Sequence, residues 1–546
     1  MTTKYEIDKI LSKFNETTPG CAVGVFQKGE VIHAKGYGRA NLEYNQPINT
    51  NSVFRIASLS KHFTAFCVYI LIKEKKVSLE DDIRNYFSEM PKYDEIVKIK
   101  DIINHRSGIR DYLSLYFSAG RTPREFDTQS FDDLLNLITR QKGLNYSPGS
   151  EFLYSNSNYL LLAELIKRVS GLTLREFAEA RLFKPLGMSS THFHDNYLEI
   201  VPNRATGYRK TKDETFEICE TTSDIIGDGG IFTCIDDLFK WSQIFQSNLL
   251  FSSEELPQLL YPDWERINEQ GDIYGYGLNL STYKNNKVIR HAGGFVGFQT
   301  NFLFFPEKDL SIYILGNYGN TNIVELAYPI ADLFLSQDDL NHDLGSDKTE
   351  DKIEQDINLD HDWIASYFGY YHRITELYQF LINEEESKKY QLIVNGGWFS
   401  FDLIPIGSNK FKSTTGIYPI ELELREIENK KILQVKILGS GSIIKYSSID
   451  PFIPEKDTSS SFLKNFTGKY YSEELDASCY INVEDDKLIL HRMRDENRLL
   501  FLTADTTLTV KDGCELQFKQ ENGKIIGFTF STFRMRGIQY KKEGFS

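Results

Sequence analysis

The chain has 546 residues, 41% of them apolar and 25% charged, with a formal net charge of −15. That length suffices for three or four domains and a large buried core. The acidic balance argues against a nucleic-acid partner, which needs clustered Lys and Arg on phosphates, and the longest apolar stretch, Phe63 to Ile72, falls short of the ~20 residues that span a bilayer.

The first residues, Met-Thr-Thr-Lys-Tyr-Glu, lack the charged-then-apolar layout of a secretory signal, so a cytoplasmic protein is expected. The six cysteines are scattered without metal-site spacing. Cys67 and Cys234 lie among apolar neighbours and read as buried thiols. Neither a disulfide nor a zinc site is expected.

Cys21 to Phe26 and Glu30 to Ala34 alternate as strands around a Lys28-Gly29 turn. Apolar residues at helical spacing then run from Ile56 to Ile72. Within that stretch Ser58 and Lys61 are three residues apart, which puts both side chains on one helix face. Ser58 is expected in the first turn, where free backbone N–H groups and the helix dipole favour developing negative charge. A hydroxyl is a weak nucleophile until a base takes its proton. A lysine can be that base where its surroundings bring the amine from about 10.4 towards 7, roughly 4 to 5 kcal/mol of differential solvation. Ser60 has no such companion, since three residues on lies Phe63. The spacing alone is weak, because an N-cap serine with a solvated lysine is the commoner arrangement.

Tyr154 and Asn156 flank one residue just before an amphipathic helix over Asn158 to Val169. In extended backbone such residues point the same way, so a phenol and an amide can enter one cleft. A loop capping the next helix through Asn156 or Ser157 is the plainer reading of this stretch by itself. Helical spacing continues over Leu174 to Leu182 and Asp236 to Phe245. Strand patterns return at Tyr276 to Leu280, Val288 to His291, Gln299 to Phe305 and Ser311 to Leu315. His291-Ala292-Gly293-Gly294 ends one of them. Its glycines let a substrate backbone come close and a backbone N–H point at a reacting carbonyl, although a strand-end turn with a satisfied histidine explains the stretch taken alone. Strands at both ends with helices between predict an α/β (α+β) domain over 1–335, its central antiparallel sheet flanked by helices.

Residues 336–360 are polar and strongly acidic and read as a linker. Beyond them, short strand-like runs alternate with turn signals at Asn395-Gly396, Asp512-Gly513 and Asn522-Gly523. Phe368-Gly369-Tyr370-Tyr371 and Thr467-Gly468-Lys469-Tyr470 form a faint repeat. Two small antiparallel β-barrels are predicted, over 361–450 and 460–546, with one larger β domain as the alternative.

Taken in order, Ser58-x-x-Lys61, Tyr154-Ser155-Asn156 and His291-Ala292-Gly293 resemble the motifs of the serine β-lactamase and D,D-peptidase superfamily. The likeness is greatest to the branch with class C β-lactamases, family-VIII-type esterases and D-aminopeptidases, whose third motif is Lys-Thr-Gly in the lactamases and His-x-Gly in many of the others. Ile103 to Ile109, Ser147-Pro148-Gly149 and Gly229 to Thr233 also look like the family. The resemblance covers about residues 5–335. With the tail included, the chain resembles three-domain D-aminopeptidases, which implies a β-lactamase-like catalytic domain followed by two lipocalin-like barrels. In those enzymes a loop of the last barrel reaches the active site and selects substrates with a free amine. Glu473 to Ser478, or Arg492 to Arg498, is expected to supply it here.

The resemblance implies a serine hydrolase that forms an acyl-enzyme on Ser58, with Lys61 and Tyr154 handling the proton. Asn156, His291, Gly293 and Gly294 would bind substrate, and the oxyanion would lie between the N–H groups of Ser58 and Gly294. No metal or cofactor is implied. The implied substrate is a small molecule or short peptide, foremost a D-amino-acid peptide or amide. A carboxylesterase or weak β-lactamase, and an inactive binding module, are the alternatives. A neutral His291 would anchor a carboxylate less well than lysine, which favours esters or peptides recognised by something other than a C-terminal carboxylate. No membrane span is expected, and a homo-oligomer stays open.

Overall fold

The structure, a computed structural model, describes residues 3–335 except 122–128, 212, 246–249, 253, 261–272, 285 and 322. It also describes residues 363–544 except 365, 368, 374–375, 384–388, 395–398, 414–419, 428–429, 438–442, 450–459, 493–496, 505, 511–513 and 533. The acidic stretch 336–360 and the turns at Asn395-Gly396 and Asp512-Gly513 lie outside the described residues.

Alternation along β1 (Cys21–Gln27) divides two cores. Cys21, Val23 and Val25 join one apolar cluster, whereas Ala22 and Phe26 join the other. Side chains of successive strand residues leave by opposite faces, so one strand feeds both layers. The same split recurs where Ile312 and Ile314 face one cluster, and Tyr313 and Leu315 the other. With β2 (Glu30–Tyr37), β3 (Ile273–Gly275), β4 (Leu278–Tyr283), β5 (Asn286–Phe295), β6 (Phe298–Phe305) and β7 (Leu310–Gly316), it forms a seven-stranded sheet. The order is β3-β4-β5-β6-β7-β1-β2 and every pairing is antiparallel. Chain-terminal and late strands meet where Cys21 pairs with Gly316. Helices Thr3–Ile10 and Ile323–Asp332 cover one face through Ile7, Ile323 and Ile330. The larger helical layer, with α1 (Lys61–Lys73) against α2 (Asn156–Ser170), covers the other.

Two expected elements differ in form. The strand expected over Tyr276 to Leu280 is interrupted, because Tyr276 and Gly277 take left-handed φ values of 47° and 80°. This turn presses the backbone onto the start of α1, where a Cβ on Gly277 would lie 2.4 Å from His62 N. The helix expected over Leu174 to Leu182 stops at Ala178 and continues as a π-turn over Glu179–Phe183.

The C-terminal region holds two closed eight-stranded barrels, each an antiparallel meander. The first runs from Gly369–Arg373 to Ile443–Ile449 and closes by pairing Tyr370 with Ile449. The second runs from Gly468–Ser472 to Met535–Lys542 and closes by pairing Tyr470 with Lys542. The faint sequence repeat marks the first strand of each. Closure leaves no strand edge to pair with a neighbour. All six cysteines are free, Cys67 and Cys234 buried. No helix among the described residues is long and apolar enough to cross a membrane.

Candidate active site

Ser58 lies in a 3₁₀ turn, Ala57–Ser60, that leads directly into α1. The turn is held from outside. Thr300 Oγ1 donates to Ile56 O at 2.9 Å, and Ser60 Oγ accepts from Ile231 N at 3.1 Å. Ala57 carries a φ of 49°, a conformation an L-residue with a Cβ adopts only under constraint. Gly293 of β5 packs against the same turn. A Cβ there would come within 2.2 Å of Ile56 O and 3.1 Å of Ser58 N, so only glycine lets the strand approach the serine this closely.

Lys61 is fully buried one turn deeper. Its Nζ donates to Ser58 Oγ at 3.2 Å, Asn156 Oδ1 at 2.9 Å and Asp228 O at 2.5 Å. It also lies 4.9 Å from the centre of the Tyr154 ring. Asn156 is the first residue of α2 rather than its cap. Asp111 Oδ1 accepts from its backbone N at 2.7 Å, which frees the side-chain amide to face Lys61. The Asp228 carboxylate accepts from Tyr112 Oη at 2.8 Å. Burial pushes the Asp228 carboxyl up, with Lys61 pulling against it.

The Tyr154 ring lies tilted by 40° against His105, with ring centres 4.3 Å apart, and Ser155 N donates to His105 Nδ1 at 3.2 Å. The buried Tyr154 Oη has no hydrogen-bond partner among the described residues. An unpartnered buried hydroxyl is costly, and this one borders the cavity a substrate would fill. His291 is neutral, because burial and then Lys61 push its ring down to about 3. Its Nδ1 contacts Ala292 O at 2.7 Å and its Nε2 contacts Tyr274 Oη at 3.3 Å. A carbonyl only accepts, so Nδ1 carries the proton and Nε2 accepts from the tyrosine.

Ser58, Tyr154, Asn156, His291, Gly293 and Gly294 line one cavity of about 520 Å³, with Lys61 beneath its floor. Strand pairing between β4 and β5 stops at Asn279 and Arg290, whereas β5 goes on to Phe295 against β6. Among the described residues, the 291–295 edge of β5 therefore has no strand neighbour on the β4 side. An open strand edge can receive an extended peptide backbone.

The second barrel supplies a wall of this cavity through a residue outside both expected loops. Arg534, in the turn between strands Lys524–Thr532 and Met535–Lys542, lines it. The Arg534 guanidinium carbon lies 4.8 Å from the centre of the Tyr154 ring. Glu473 to Ser478 instead docks the barrel. Glu474 and Arg110 form an ion pair at 2.6 Å with both side chains only 5% exposed, and Lys142 N and Gln539 N also donate to the Glu474 carboxylate. Arg492 donates to Ser118 O at 3.3 Å, away from the cavity lining, and 493–496 lie outside the described residues.

Sequence reasoning missed Asp111, Tyr112 and Asp228, although the first two lie two and three residues past the Ile103 to Ile109 stretch and the third precedes Gly229. It also missed Arg534, which no local signal marks. Elsewhere, His192, His194 and Glu199 bring ligand-type atoms within 4.8 Å of one another. Arg175 takes both Glu199 oxygens there, at 2.6 and 2.7 Å, and occupies the carboxylate a metal would need.

A family profile described as Beta-lactamase matches residues 7–332. Penicillin-binding protein 4* of Bacillus subtilis is 28% identical over 305 residues, covering 53% of this chain and 66% of its own length. A D-aminopeptidase of Brucella anthropi is 22% identical and covers 97% of this chain and 96% of its own. Among solved structures, an octameric penicillin-binding protein homologue from Pyrococcus abyssi superposes with a TM-score of 0.57 at 21% identity, over 82% of this chain and 98% of that one. D-amino acid amidase from Ochrobactrum anthropi SV3 complexed with D-phenylalanine superposes with a TM-score of 0.51 at 20% identity, over 61% of this chain and 98% of that one.

Proposed function

The chain belongs to the Beta-lactamase family, and from that membership we propose that it is a serine peptidase or amidase for D-amino-acid peptides or amides, working through an acyl-enzyme on Ser58. The observation that carries the reading is the contact of Lys61 Nζ with Ser58 Oγ at 3.2 Å, on the floor of the cavity.

In the reacting form Lys61 is the free amine, its two N–H groups held by Asn156 Oδ1 and Asp228 O and its lone pair turned to the Ser58 hydroxyl, so that Ser58 Oγ attacks the substrate carbonyl while Lys61 takes its proton. The oxyanion settles between the backbone N–H groups of Ser58 and Gly294, each worth roughly 100- to 1000-fold in rate. The proton passes through Tyr154, whose hydroxyl has no hydrogen-bond partner among the described residues, to the departing nitrogen or oxygen. Asn156 keeps Lys61 in register, and the open edge of β5 aligns the substrate backbone. Water then hydrolyses the acyl-enzyme. Resemblance to a D-aminopeptidase across both ends of the chain supports the D-amino-acid substrate class. The neutral His291 keeps a second reading, a carboxylesterase, in view.

The test is covalent labelling. A fluorophosphonate or penicillin probe should add its mass to the peptide holding Ser58, and Ser58→Ala should show no adduct. That variant should also lose at least about 1000-fold in turnover across D-alanine p-nitroanilide, D-Ala-D-Ala peptides, p-nitrophenyl acetate and a chromogenic cephalosporin. Absence of any adduct at saturating probe would make the fold a binding module. Turnover of the acetate alone would make it an esterase.

A further inference from the structure

We propose that His105 is the positioning residue for Tyr154: it grips the backbone on both sides of that tyrosine and so aims the phenol that hands a proton to the leaving group. This role rests on the serine-hydrolase reading above, and it gives the Ile103 to Ile109 stretch a place in it.

Leu153 N donates to His105 O at 3.0 Å, and Ser155 N donates to His105 Nδ1 at 3.2 Å. One residue therefore holds the peptide N–H groups before and after Tyr154, while its imidazole lies against the Tyr154 ring. His105 stands two residues past the helix Ile99–Ile103 at a φ of 56°, a left-handed conformation that His, Asn and Asp adopt more readily than most side chains. In it the carbonyl and the ring both reach the 153–155 segment. Asn156, one residue further on, accepts from Lys61 Nζ at 2.9 Å, so the same short segment serves both groups that handle the proton.

Only one nitrogen of the imidazole is engaged among the described residues. A backbone N–H only donates, so Nδ1 is bare and the proton sits on Nε2. Asn158 Nδ2 adds a second contact to Nδ1 at 3.2 Å, its amide turned that way because Asn158 Oδ1 accepts from Ser107 Oγ at 2.7 Å. Nε2 is buried and has no hydrogen-bond partner among the described residues. Around the ring stand Phe152, Tyr159 and Tyr274, with ring centres 6.0, 5.1 and 4.7 Å away. A phenyl group would suit this aromatic box and leave no orphan donor. What a phenyl lacks is the acceptor for Ser155 N. Burial, with Lys61, His291 and Arg534 adding to it, holds the ring well below its ordinary 6.5, so Nδ1 stays an acceptor at neutral pH.

Tyr154 needs this support. Its Oη has no hydrogen-bond partner among the described residues, so its aim is set by where its backbone is held and by what its ring rests on. His105 supplies both. A reacting group misplaced by about 1 Å can lose roughly 100-fold in rate. The loss falls on the step in which Tyr154 gives up its proton, because a leaving group that departs as a stable anion does not draw on that proton.

The experiment compares two leaving groups on one acyl group. The methyl and p-nitrophenyl esters of D-alanine serve, or those of acetate if only acetate is turned over. Methoxide must be protonated as it departs, whereas p-nitrophenolate leaves as the anion, and kcat/KM for both reports acylation. In His105→Phe the methyl-to-nitrophenyl ratio of kcat/KM should fall roughly 10- to 100-fold, and Tyr154→Phe should lower it at least as far. Adding His105→Phe to Tyr154→Phe should change the ratio by less than about threefold, because the tyrosine it acts through is gone. His105→Asn, whose short amide keeps an acceptor near the Nδ1 position and suits a positive φ, should recover most of the ratio. His105→Gln, whose amide reaches past that position, should not. Each ratio is taken within one variant, so loss of folded protein cancels, and the Asn and Gln pair decides the matter if the Phe variant does not fold. An unchanged ratio in His105→Phe, a full further fall in the double variant, or equal ratios in the Asn and Gln variants overturns the inference. Labelling of Ser58 with the fluorophosphonate probe in the same preparations separates these outcomes from failure of the hydrolase reading, which would remove the adduct from wild type.

Discussion

Ala57 sits at a φ of 49° immediately before Ser58, the proposed nucleophile. For a residue with a Cβ this conformation costs about 1 to 2 kcal/mol, and it persists because Thr300, Ile231 and Gly293 clamp the turn on both sides. Strain here aims the Ser58 hydroxyl out of the buried layer into the cavity. Ala57→Gly should therefore raise stability by about 1 kcal/mol while lowering kcat roughly tenfold or more, because the turn gains alternatives to the productive conformation. Chemical denaturation beside single-turnover acylation reads both. A variant that acylates as fast as wild type would show that the strain has no part in aiming the serine. At this scale the candidate site was legible wherever motif spacing is short: Ser58 with Lys61, and Tyr154 with Asn156. Asp228 and Arg534 were not, because they meet Lys61 and Tyr154 across 167 and several hundred residues of chain. No periodicity records such contacts.

The α1 helix presents a different economy, since its residues from Lys61 to Leu71 are all buried. That explains why its sequence is apolar all round rather than striped, and it places His62 wholly inside. His62 packs against the rings of Phe63, Phe66, Trp241 and Phe302, and neither ring nitrogen has a partner among the described residues. Burial pushes it down from 6.5 to about 3. The unfolded chain therefore binds this proton first as the solution is acidified. Stability is unaffected above about pH 6.5 and is lost as pH falls from there towards 3, at about 1.4 kcal/mol per pH unit for this residue. His291, also held near 3, and His194, held near 4, add to the same slope. His62→Phe should gain about 1 to 2 kcal/mol at neutral pH and flatten the acid limb. Urea melts at pH 7.5 and pH 5 will show whether the gap between variant and wild type widens in acid, as required, or stays constant. The strands of the sheet were legible because alternation records a two-faced layer, and the break at Tyr276-Gly277 was not, since a left-handed tyrosine leaves no pattern.

At the level of the whole molecule the N-terminal block and the second barrel are pinned by a buried ion pair rather than by a broad apolar seam alone. Arg110 and Glu474 are 364 residues apart. Removing one partner of such a pair costs about 3 to 5 kcal/mol, because the other charge stays buried and alone. Glu474→Ala should loosen the barrel from the block, expose the turn that carries Arg534 to limited proteolysis, and cut kcat/KM on peptides. If the variant keeps wild-type protease resistance and activity, docking does not depend on this pair. The barrels themselves were legible as many short strands with turn signals, and their repeat pointed to paired units. Which hairpin reaches the catalytic cavity was not legible: Thr532-Phe533-Arg534-Met535 contains no Gly, Pro, Asn or Asp to announce a turn.

Because Arg534 belongs to the last hairpin of the second barrel, the wall it provides is made roughly 200 residues after the sheet that carries Gly293 is complete. A ribosome adding about 5 to 20 residues per second leaves that interval at roughly 10 to 40 s. During it the nascent protein holds the Ser58 turn and Lys61 in a cleft still open on one side, and the cavity gains its last wall only when translation has delivered the final strands.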